Sequence, residues 1–340
     1  MSDSGQKKDT NRSSHDKGWI CAILTSFFIF IGSVSFVFAT NYYGIFGNTI
    51  RDVSNNPTYN LLITPASKAF SIWGAIYSLL LCVHLYSLVT ICREGKVGYL
   101  YRSPGMISKR LLLLLSLSYL TSAGWQTLFL LHAEVKSMVY SAVALVAVAI
   151  LNYLALTNSQ ARNHRAMIHN APPLSLVSKK ENVLYQMLVV NSIALYFGWT
   201  LIAANLSVGI ALQEHMLKTI SGGSIYEKKV EVASLILILL TVCIAVYTIL
   251  DFSMLNMTSF TVLQYVSIMV GLVGIFYGDE NQTSFAYEGK PITETTLYNE
   301  VSTFPKKQFT TILISLIAVY GGVKFTLCFF SCIKYVKRSI

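Results

Sequence analysis

Eight apolar stretches, each about 20 residues long, constrain the fold of this chain more than any other feature. A helix of that length crosses the hydrocarbon core of a bilayer. The composition agrees, because 54% of the 340 residues are hydrophobic and 12% are charged, against about 25% charged in soluble domains. We therefore predict an all-α, polytopic membrane helical bundle with eight transmembrane helices. They cover residues 18–40, 69–92, 110–132, 137–157, 183–212, 231–251, 257–277 and 308–333.

The distribution of basic residues predicts the orientation of these spans. The formal net charge of +10 would also suit a nucleic-acid partner. The lysines and arginines, however, concentrate in the N-terminal tail, in alternate connections and at the C-terminus, as the positive-inside rule describes for membrane proteins. This pattern predicts that both termini are cytosolic, that residues 1–17 form a cytosolic tail, and that the partner is the lipid bilayer rather than nucleic acid.

The connection 278–307 is long, acidic and on the predicted outer side. It contains a glycosylation sequon at Asn281, where an acceptor asparagine would be reachable. Use of this sequon would place the protein in the secretory pathway, so the sequence favours an endomembrane or the plasma membrane. The N-terminal tail has no signal peptide and contains acidic residues, which argues against a mitochondrial presequence.

An aromatic stripe follows Pro65, a residue that suits the first turn of a helix. Phe70, Trp73, Tyr77 and His84 fall at offsets of 0, 3, 7 and 14, which places them within about 60° on one helix face. Such a stripe in an apolar span is typical of a pocket wall. Simple helix packing is the alternative.

Two further spans carry faces of the same kind. The third span places Trp125 and Phe129 beside hydroxyl residues, and the fifth does so with Tyr196 and Trp199. Faces that mix aromatic and polar groups turn away from lipid. A cavity between them would suit a planar, mostly apolar ligand, and a tightly packed interior without a cavity is the alternative.

Three blocks of sequence resemble the tryptophan-rich sensory protein family, also called the translocator protein (TspO/MBR) family. That family has a Pro-containing loop before an aromatic second helix, a Trp followed by Phe in its third helix, and a Tyr–Trp–Ala–Asn signature in its fifth. The resemblance covers residues 18–213. The matching residues here are Thr64, Pro65, Phe70, Ile72, Trp73 and Tyr77, then Trp125, Leu128 and Phe129, then Tyr196, Trp199, Ala203 and Asn205.

The resemblance implies a five-helix bundle with a pocket for porphyrins, sterols or drug-like aromatic molecules, so haem or a porphyrin is a candidate ligand. A homodimer is a candidate assembly. The mitochondrial outer membrane, where animal relatives of this family reside, is an alternative location. Asn205 matches the family but lies opposite Tyr196 and Trp199 on the helix, which favours a helix-packing role. The ligand-binding residues that the resemblance implies are Pro65, Phe70, Trp73, Tyr77, Trp125, Phe129, Tyr196 and Trp199.

The chain also departs from the family pattern. Pro65 is followed by Ala66 where the family has a second proline, and Ser122 stands where the third helix usually has asparagine. The sterol-recognition pattern at the end of the fifth helix is absent. The three spans in 214–340 have no counterpart in five-helix members, so we predict a TspO-like bundle at 18–213 with an extension.

Two ionisable residues inside predicted spans are candidates for function, because charge in the membrane is costly. His84 ends the aromatic stripe and would give the ligand a polar contact, and a hydrogen bond to a neighbouring helix is the alternative. Lys324 lies within the eighth span and would pair with an acidic ligand group or with Glu231, or would reach water by snorkelling. In a transporter it would be the coupling residue. Asp251 is interpreted as marking the end of the sixth span.

The sequence therefore predicts a ligand-binding membrane protein that acts as a sensor, carrier or scavenger. A secondary transporter and a structural subunit are the alternatives. No catalytic set, metal site or phosphate-binding loop is recognisable, so an enzyme is not expected.

Overall fold

The computed structural model describes residues 15–46, 49–56, 58–95, 98–101, 106–131, 135–168, 179–219, 225–278, 286–287, 290–291 and 306–337. Most of these residues are helical, as predicted. The helices are α1 (Lys17–Tyr43), α2 (Ile50–Asn55), α3 (Ile72–Cys92), α4 (Lys109–Leu130), α5 (Val135–Ile168), α6 (Lys179–Tyr185), α7 (Asn191–Thr219), α8 (Ile225–Ser253), α9 (Leu255–Thr258), α10 (Leu263–Phe276) and α11 (Lys306–Lys337). A 3₁₀ turn, Ser67–Ser71, precedes α3, and a π-helical segment, Gln186–Val190, joins α6 to α7.

Two short antiparallel hairpins complete the described structure. They pair β1 (Glu94–Gly95) with β2 (Gly98–Tyr99), and β3 (Ala286–Tyr287) with β4 (Lys290–Pro291). The predicted outer loop 278–307 and its sequon at Asn281 lie almost entirely outside the described residues.

Seven helical stretches are long and apolar enough to cross a membrane. They correspond to every predicted span except the seventh, so the protein is an integral membrane protein with a polytopic helical bundle. These stretches are Lys17–Tyr43, Ser67–Cys92, Lys109–Leu130, Met138–Arg165, Glu181–Thr219, Glu227–Ser253 and Lys307–Phe330.

The predicted seventh span, 257–277, is not one long helix. The chain breaks after α9 and resumes as α10, whose 14 residues extend about 21 Å and fall short of a hydrocarbon core of about 30 Å. The buried side chain of Asn191 explains the break. Its Oδ1 accepts from the Val262 and Leu263 amides at 3.0 and 3.3 Å, and its Nδ2 donates to the Phe260 carbonyl at 3.1 Å. An amide side chain from α7 thereby satisfies the first orphan donors of α10.

The helix α7 is the centre of the bundle. It packs against α3, α5, α8 and α10, while α4 lies between α1 and α5 and α11 packs on α10. The ten residues 191–200 are all buried, including the polar ones. A helix that is buried all round belongs in the middle of a membrane bundle, and this places the Tyr196 and Trp199 side chains in the protein interior.

The connection between α1 and α3 folds back over the bundle. α1 ends at Gly44, whose φ of +57° suits glycine at a left-handed helix end. α2 then starts with a capping box, in which Thr49 and Asp52 exchange side-chain and backbone hydrogen bonds. Beyond α2, Leu61 and Ile63 are buried and anchor the connection to the core.

Candidate functional site

Six predicted ligand-binding residues surround one internal cavity of about 80 Å³. Aliphatic side chains of α7 and of the α1–α3 connection complete the wall, among them Leu61, Ile202 and Ile210. The six predicted residues are Pro65, Phe70, Trp73, Trp125, Phe129 and Trp199. The sequence spacing thus brought together residues from three helices and one loop.

The aromatic rings hold one another around this cavity. Trp73 meets Trp199 edge-on with ring centroids 6.2 Å apart, and Phe70 meets Trp199 in the same way at 5.8 Å. Tyr77 stacks on Trp73 at 5.3 Å, and Tyr196 packs against the same indole at 6.1 Å. Tyr77 and Tyr196 are not among the lining residues, so they act as supports behind Trp73. Offset and edge-on aromatic pairs of this kind stabilise their geometry beyond simple burial.

Two indole groups of the cavity wall lack a hydrogen-bond partner among the residues that the structure describes. Nε1 of Trp125 and Nε1 of Trp199 are both buried and unpaired, and the Trp199 side chain is only 2% exposed. A buried N–H without an acceptor costs free energy. Both tryptophans line the same cavity, so the two unpaired donors belong to residues of its wall.

A polar network that the sequence analysis missed holds Tyr196. The Ser118 hydroxyl donates to Asn152 Oδ1 at 2.7 Å and approaches the Tyr196 hydroxyl at 3.4 Å. Asn152 Nδ2 in turn donates to Thr200 Oγ1 at 3.2 Å. Asn152 is fully buried in an apolar span, and a lone asparagine within such a span was the available signal. The network fixes α4, α5 and α7 relative to one another, and so fixes the cavity wall.

His84 lies away from this cavity. Its side chain is fully buried, its Nε2 is 3.2 Å from the Tyr119 hydroxyl, and its ring stacks on Phe30 with centroids 4.9 Å apart. The predicted ligand contact of His84 is therefore without support from the cavity geometry. Asn205 is buried too, and its Nδ2 donates to the Leu201 carbonyl of its own helix at 2.7 Å. It does not line the cavity, in keeping with its predicted separation from Trp199.

A loop closes one end of the cavity. Ile50 of α2 and the buried ring of Tyr59 are lining residues. Gln213 Nε2 holds this loop by donating to the Thr58 and Asn60 carbonyls at 2.8 and 3.1 Å. Burial, and secondarily the carboxylate of Glu214, raises the pKa of Tyr59 above 10. The loop is thus anchored to the end of α7, and a ligand would have to pass it or pass between helices.

A buried ion pair forms a second polar centre. Lys324 Nζ lies 2.5 Å from Asp251 Oδ2, and both side chains are 1% exposed. The predicted pairing of Lys324 with Glu231 is wrong, because Lys324 pairs with Asp251, which lies at the opposite end of α8 from Glu231. Tyr265 donates to the same carboxylate oxygen at 2.7 Å and Tyr320 at 3.2 Å. Asp251 is therefore not merely a helix end.

The second oxygen of this carboxylate is unusual. Within the described part of the chain, Asp251 Oδ1 is buried without a hydrogen-bond partner, whereas Oδ2 accepts from three side chains. Lys324 also donates to Thr258 Oγ1 at 2.8 Å. The centre thus ties α8, α9, α10 and α11 together through charge-assisted hydrogen bonds.

Comparison with known protein families gives a match over most of the chain. The family model described as TSPO-like protein matches residues 22–276, which confirms the resemblance that the sequence motifs indicated. The matched region extends past the predicted boundary at 213 and includes α8 and α10, whereas α11 lies beyond it. No curated protein and no solved structure matches the chain.

Proposed function

Because the chain belongs to the TSPO-like protein family, we propose that it binds a small, mostly apolar ligand in the aromatic cavity and serves as a sensor, carrier or scavenger in its membrane. One observation carries this proposal. The indole N–H groups of Trp125 and Trp199 are buried without a hydrogen-bond partner among the described residues, and both tryptophans line the same cavity. A ligand that accepts a hydrogen bond would remove this cost.

The wall indicates the chemistry of the ligand. The described lining residues are apolar, aromatic or hydroxyl-bearing, and none of them is charged. A charged group would lose its hydration there without gaining a counter-ion. The cavity therefore favours a neutral, planar molecule with a carbonyl, ether or ring-nitrogen acceptor, stacked among Phe70, Trp73 and Trp199.

The size of the cavity bears on haem and porphyrin. Pockets for drug-sized ligands measure about 300–1,000 Å³, whereas this cavity measures about 80 Å³. A tetrapyrrole would require the loop that carries Ile50 and Tyr59 to move outward. Its carboxylates would also have to stay outside the uncharged wall, and His84 is not placed to coordinate its iron. We rank smaller neutral ligands above a tetrapyrrole.

The test uses Trp199→Phe, which removes the N–H donor and keeps an aromatic ring. Titration of the purified protein with neutral aromatic amides and with protoporphyrin, followed by tryptophan fluorescence, gives the affinity of each. We expect Trp199→Phe to weaken binding of the amide by about tenfold, the cost of one buried hydrogen bond. Trp19→Phe is the matched control, since Trp19 is partly buried and does not line the cavity.

Two results would count against this function. Equal affinities of wild type and Trp199→Phe would show that the Trp199 N–H donates no hydrogen bond to the ligand. The absence of saturable quenching by every compound would leave a structural subunit, in which the aromatic faces only pack helices.

A secondary transporter is the second candidate, and the Lys324–Asp251 pair favours it. Ionisable groups within membrane spans commonly mark ion or substrate pathways. Gradient-driven uptake into proteoliposomes would support this function if Lys324→Met abolished it while ligand binding in the aromatic cavity persisted. Uptake that is independent of any gradient would contradict it.

We further propose that α9 and α10 together complete an eighth crossing and that both termini are cytosolic, as the basic residues indicate. Glycosylation of Asn281 in cells would support that orientation and an endomembrane or plasma-membrane location. An unmodified Asn281 together with co-purification with mitochondria would favour the mitochondrial outer membrane. A homodimer remains a prediction that cross-linking in the membrane can test.

A further inference from the structure

A second and much larger cavity lies along α10. It is a groove of about 1,020 Å³ between α10, α11, the 3₁₀ turn before α3 and the π-helical segment before α7. Aliphatic residues such as Val266, Val270 and Ile317 form its walls. Val266 is 48% exposed and Met187 60%, so the groove is open along the flank of the bundle, where lipid lies.

Two polar side chains that line the groove, those of Asn191 and Tyr265, already have hydrogen-bond partners. The Asn191 amide is used by the start of α10, and the Tyr265 hydroxyl donates to Asp251. Lys68 is the charged residue among the described lining residues, and it is exposed. It forms no ion pair within the described part of the chain.

A second lysine lies near the same end. Lys307, at the start of α11, places its Nζ 6.0 Å from the ring centroid of Phe276, which is next to the lining residue Tyr277. The opposite end of the groove is apolar, with Met187, Phe325 and Cys328. The groove is thus cationic at one end and apolar along the rest, the charge distribution that complements an amphiphile with an anionic head.

The groove runs beside α10 along the whole length of that helix, from Val262 to Tyr277. It is open to the flank of the bundle, where the described residues leave the space between α10 and α11 unfilled. Acyl chains are the material that fills such space in a membrane.

We propose that this groove is a binding site for one anionic phospholipid. Its acyl chains lie against Val266, Val270 and Ile317, and its phosphate lies between Lys68 and Lys307. The bound lipid adds to the direct packing of α11 on α10 and links α11 to the 3₁₀ turn and the π-helical segment, which also line the groove. This site is separate from the aromatic cavity and does not depend on the function proposed for it.

The experiment is native mass spectrometry of the purified full chain in detergent, titrated with phosphatidylglycerol, phosphatidylcholine or oleate. We expect one phosphatidylglycerol to be retained per chain. Val266→Trp places a bulky ring in the groove and should weaken that retention. Leu235→Trp is the matched control, because Leu235 is 51% exposed on α8 and does not line the groove.

The headgroup is tested with Lys68→Gln/Lys307→Gln. Both lysines are exposed, so this variant should fold normally even if Val266→Trp does not. Each lysine near an anionic headgroup contributes about 1 kcal/mol, so the double variant should bind phosphatidylglycerol at least about tenfold more weakly and no better than phosphatidylcholine. Lys17→Gln, at an exposed lysine of α1, should change nothing.

Three outcomes would overturn the proposal. Equal retention of phosphatidylcholine and phosphatidylglycerol by wild type would show that the negative charge of the headgroup does not contribute to binding. Preference for oleate would identify a fatty-acid site instead. Unchanged binding in a folded Val266→Trp, or in the double lysine variant, would place the lipid elsewhere.

Discussion

Replacing Lys324 by methionine is the most informative test of the buried ion pair. The substitution keeps a long, flexible side chain and removes the charge. Asp251 would then be a carboxylate that is 1% exposed, retaining two tyrosine donors but no counter-charge. Removing one partner of a buried ion pair costs about 3–5 kcal/mol. Since Tyr265 and Tyr320 still solvate Oδ2, we expect Lys324→Met to lose about 3 kcal/mol of unfolding free energy.

The double variant Asp251→Asn/Lys324→Met distinguishes charge from packing. It removes both charges and leaves an amide oxygen to accept from the two tyrosines, so it should regain all but about 1 kcal/mol of that loss. Equilibrium unfolding in mixed micelles of a mild detergent and dodecyl sulfate gives the free energies. Lys307→Met, an exposed lysine of the same helix, should stay within about 0.5 kcal/mol of wild type.

Either of two results would refute this reasoning. The first is a Lys324→Met protein within about 1 kcal/mol of wild type, which would mean that the pair is not desolvated as the structure has it. The second is a double variant as unstable as the single one, which would mean that the lysine stem, and not its charge, supports α11.

Two other substitutions follow directly from the packing. A Cβ at Gly198 would collide with the Gln264 carbonyl and the Ser267 hydroxyl of α10, so Gly198→Ala should cost about 1–3 kcal/mol in the same unfolding assay, whereas Gly124→Ala, with open space around it, should be neutral or stabilising; equal effects would contradict the close α7–α10 approach. The raised pKa of Tyr59 means that the folded state holds its proton more tightly than the unfolded state, so stability should fall as pH rises above 10. Tyr59→Phe should lessen that fall, and an identical pH profile would show that Tyr59 is not buried near Glu214.

The sequence predicted the aromatic cavity because helical spacing and family motifs report which residues share a face. Trp73, Trp125 and Trp199 do border one cavity, although their binding of a ligand stays a prediction. His84 shows the limit of that reasoning. It shares the face of Phe70, but 14 residues of helix separate the two by about 21 Å along the axis. A helical wheel shows the position of a residue around the helix axis but not its position along that axis.

The position of each residue along its helix axis would also have identified Asp251 as the partner of Lys324. Glu231 and Asp251 lie at opposite ends of α8, about 30 Å apart, and Lys324 lies in the half of α11 that is nearer its C-terminus. The interruption of the predicted seventh span was harder to foresee. It depends on the side chain of Asn191, which accepts a hydrogen bond from the Val262 amide 71 residues further along the chain. No local pattern in 257–277 indicates such a partner.

The ion pair has a consequence for how the protein is made. Asp251 and Lys324 are 73 residues apart, and ribosomes add about 5–20 residues per second. The carboxylate is therefore synthesised about 4–15 seconds before its counter-charge. During that interval Tyr265 is the first of its partners to be translated, since it follows after only 14 residues. Insertion of α8 must tolerate an unneutralised acid, and the arrival of α11 completes the assembly of helices made earlier.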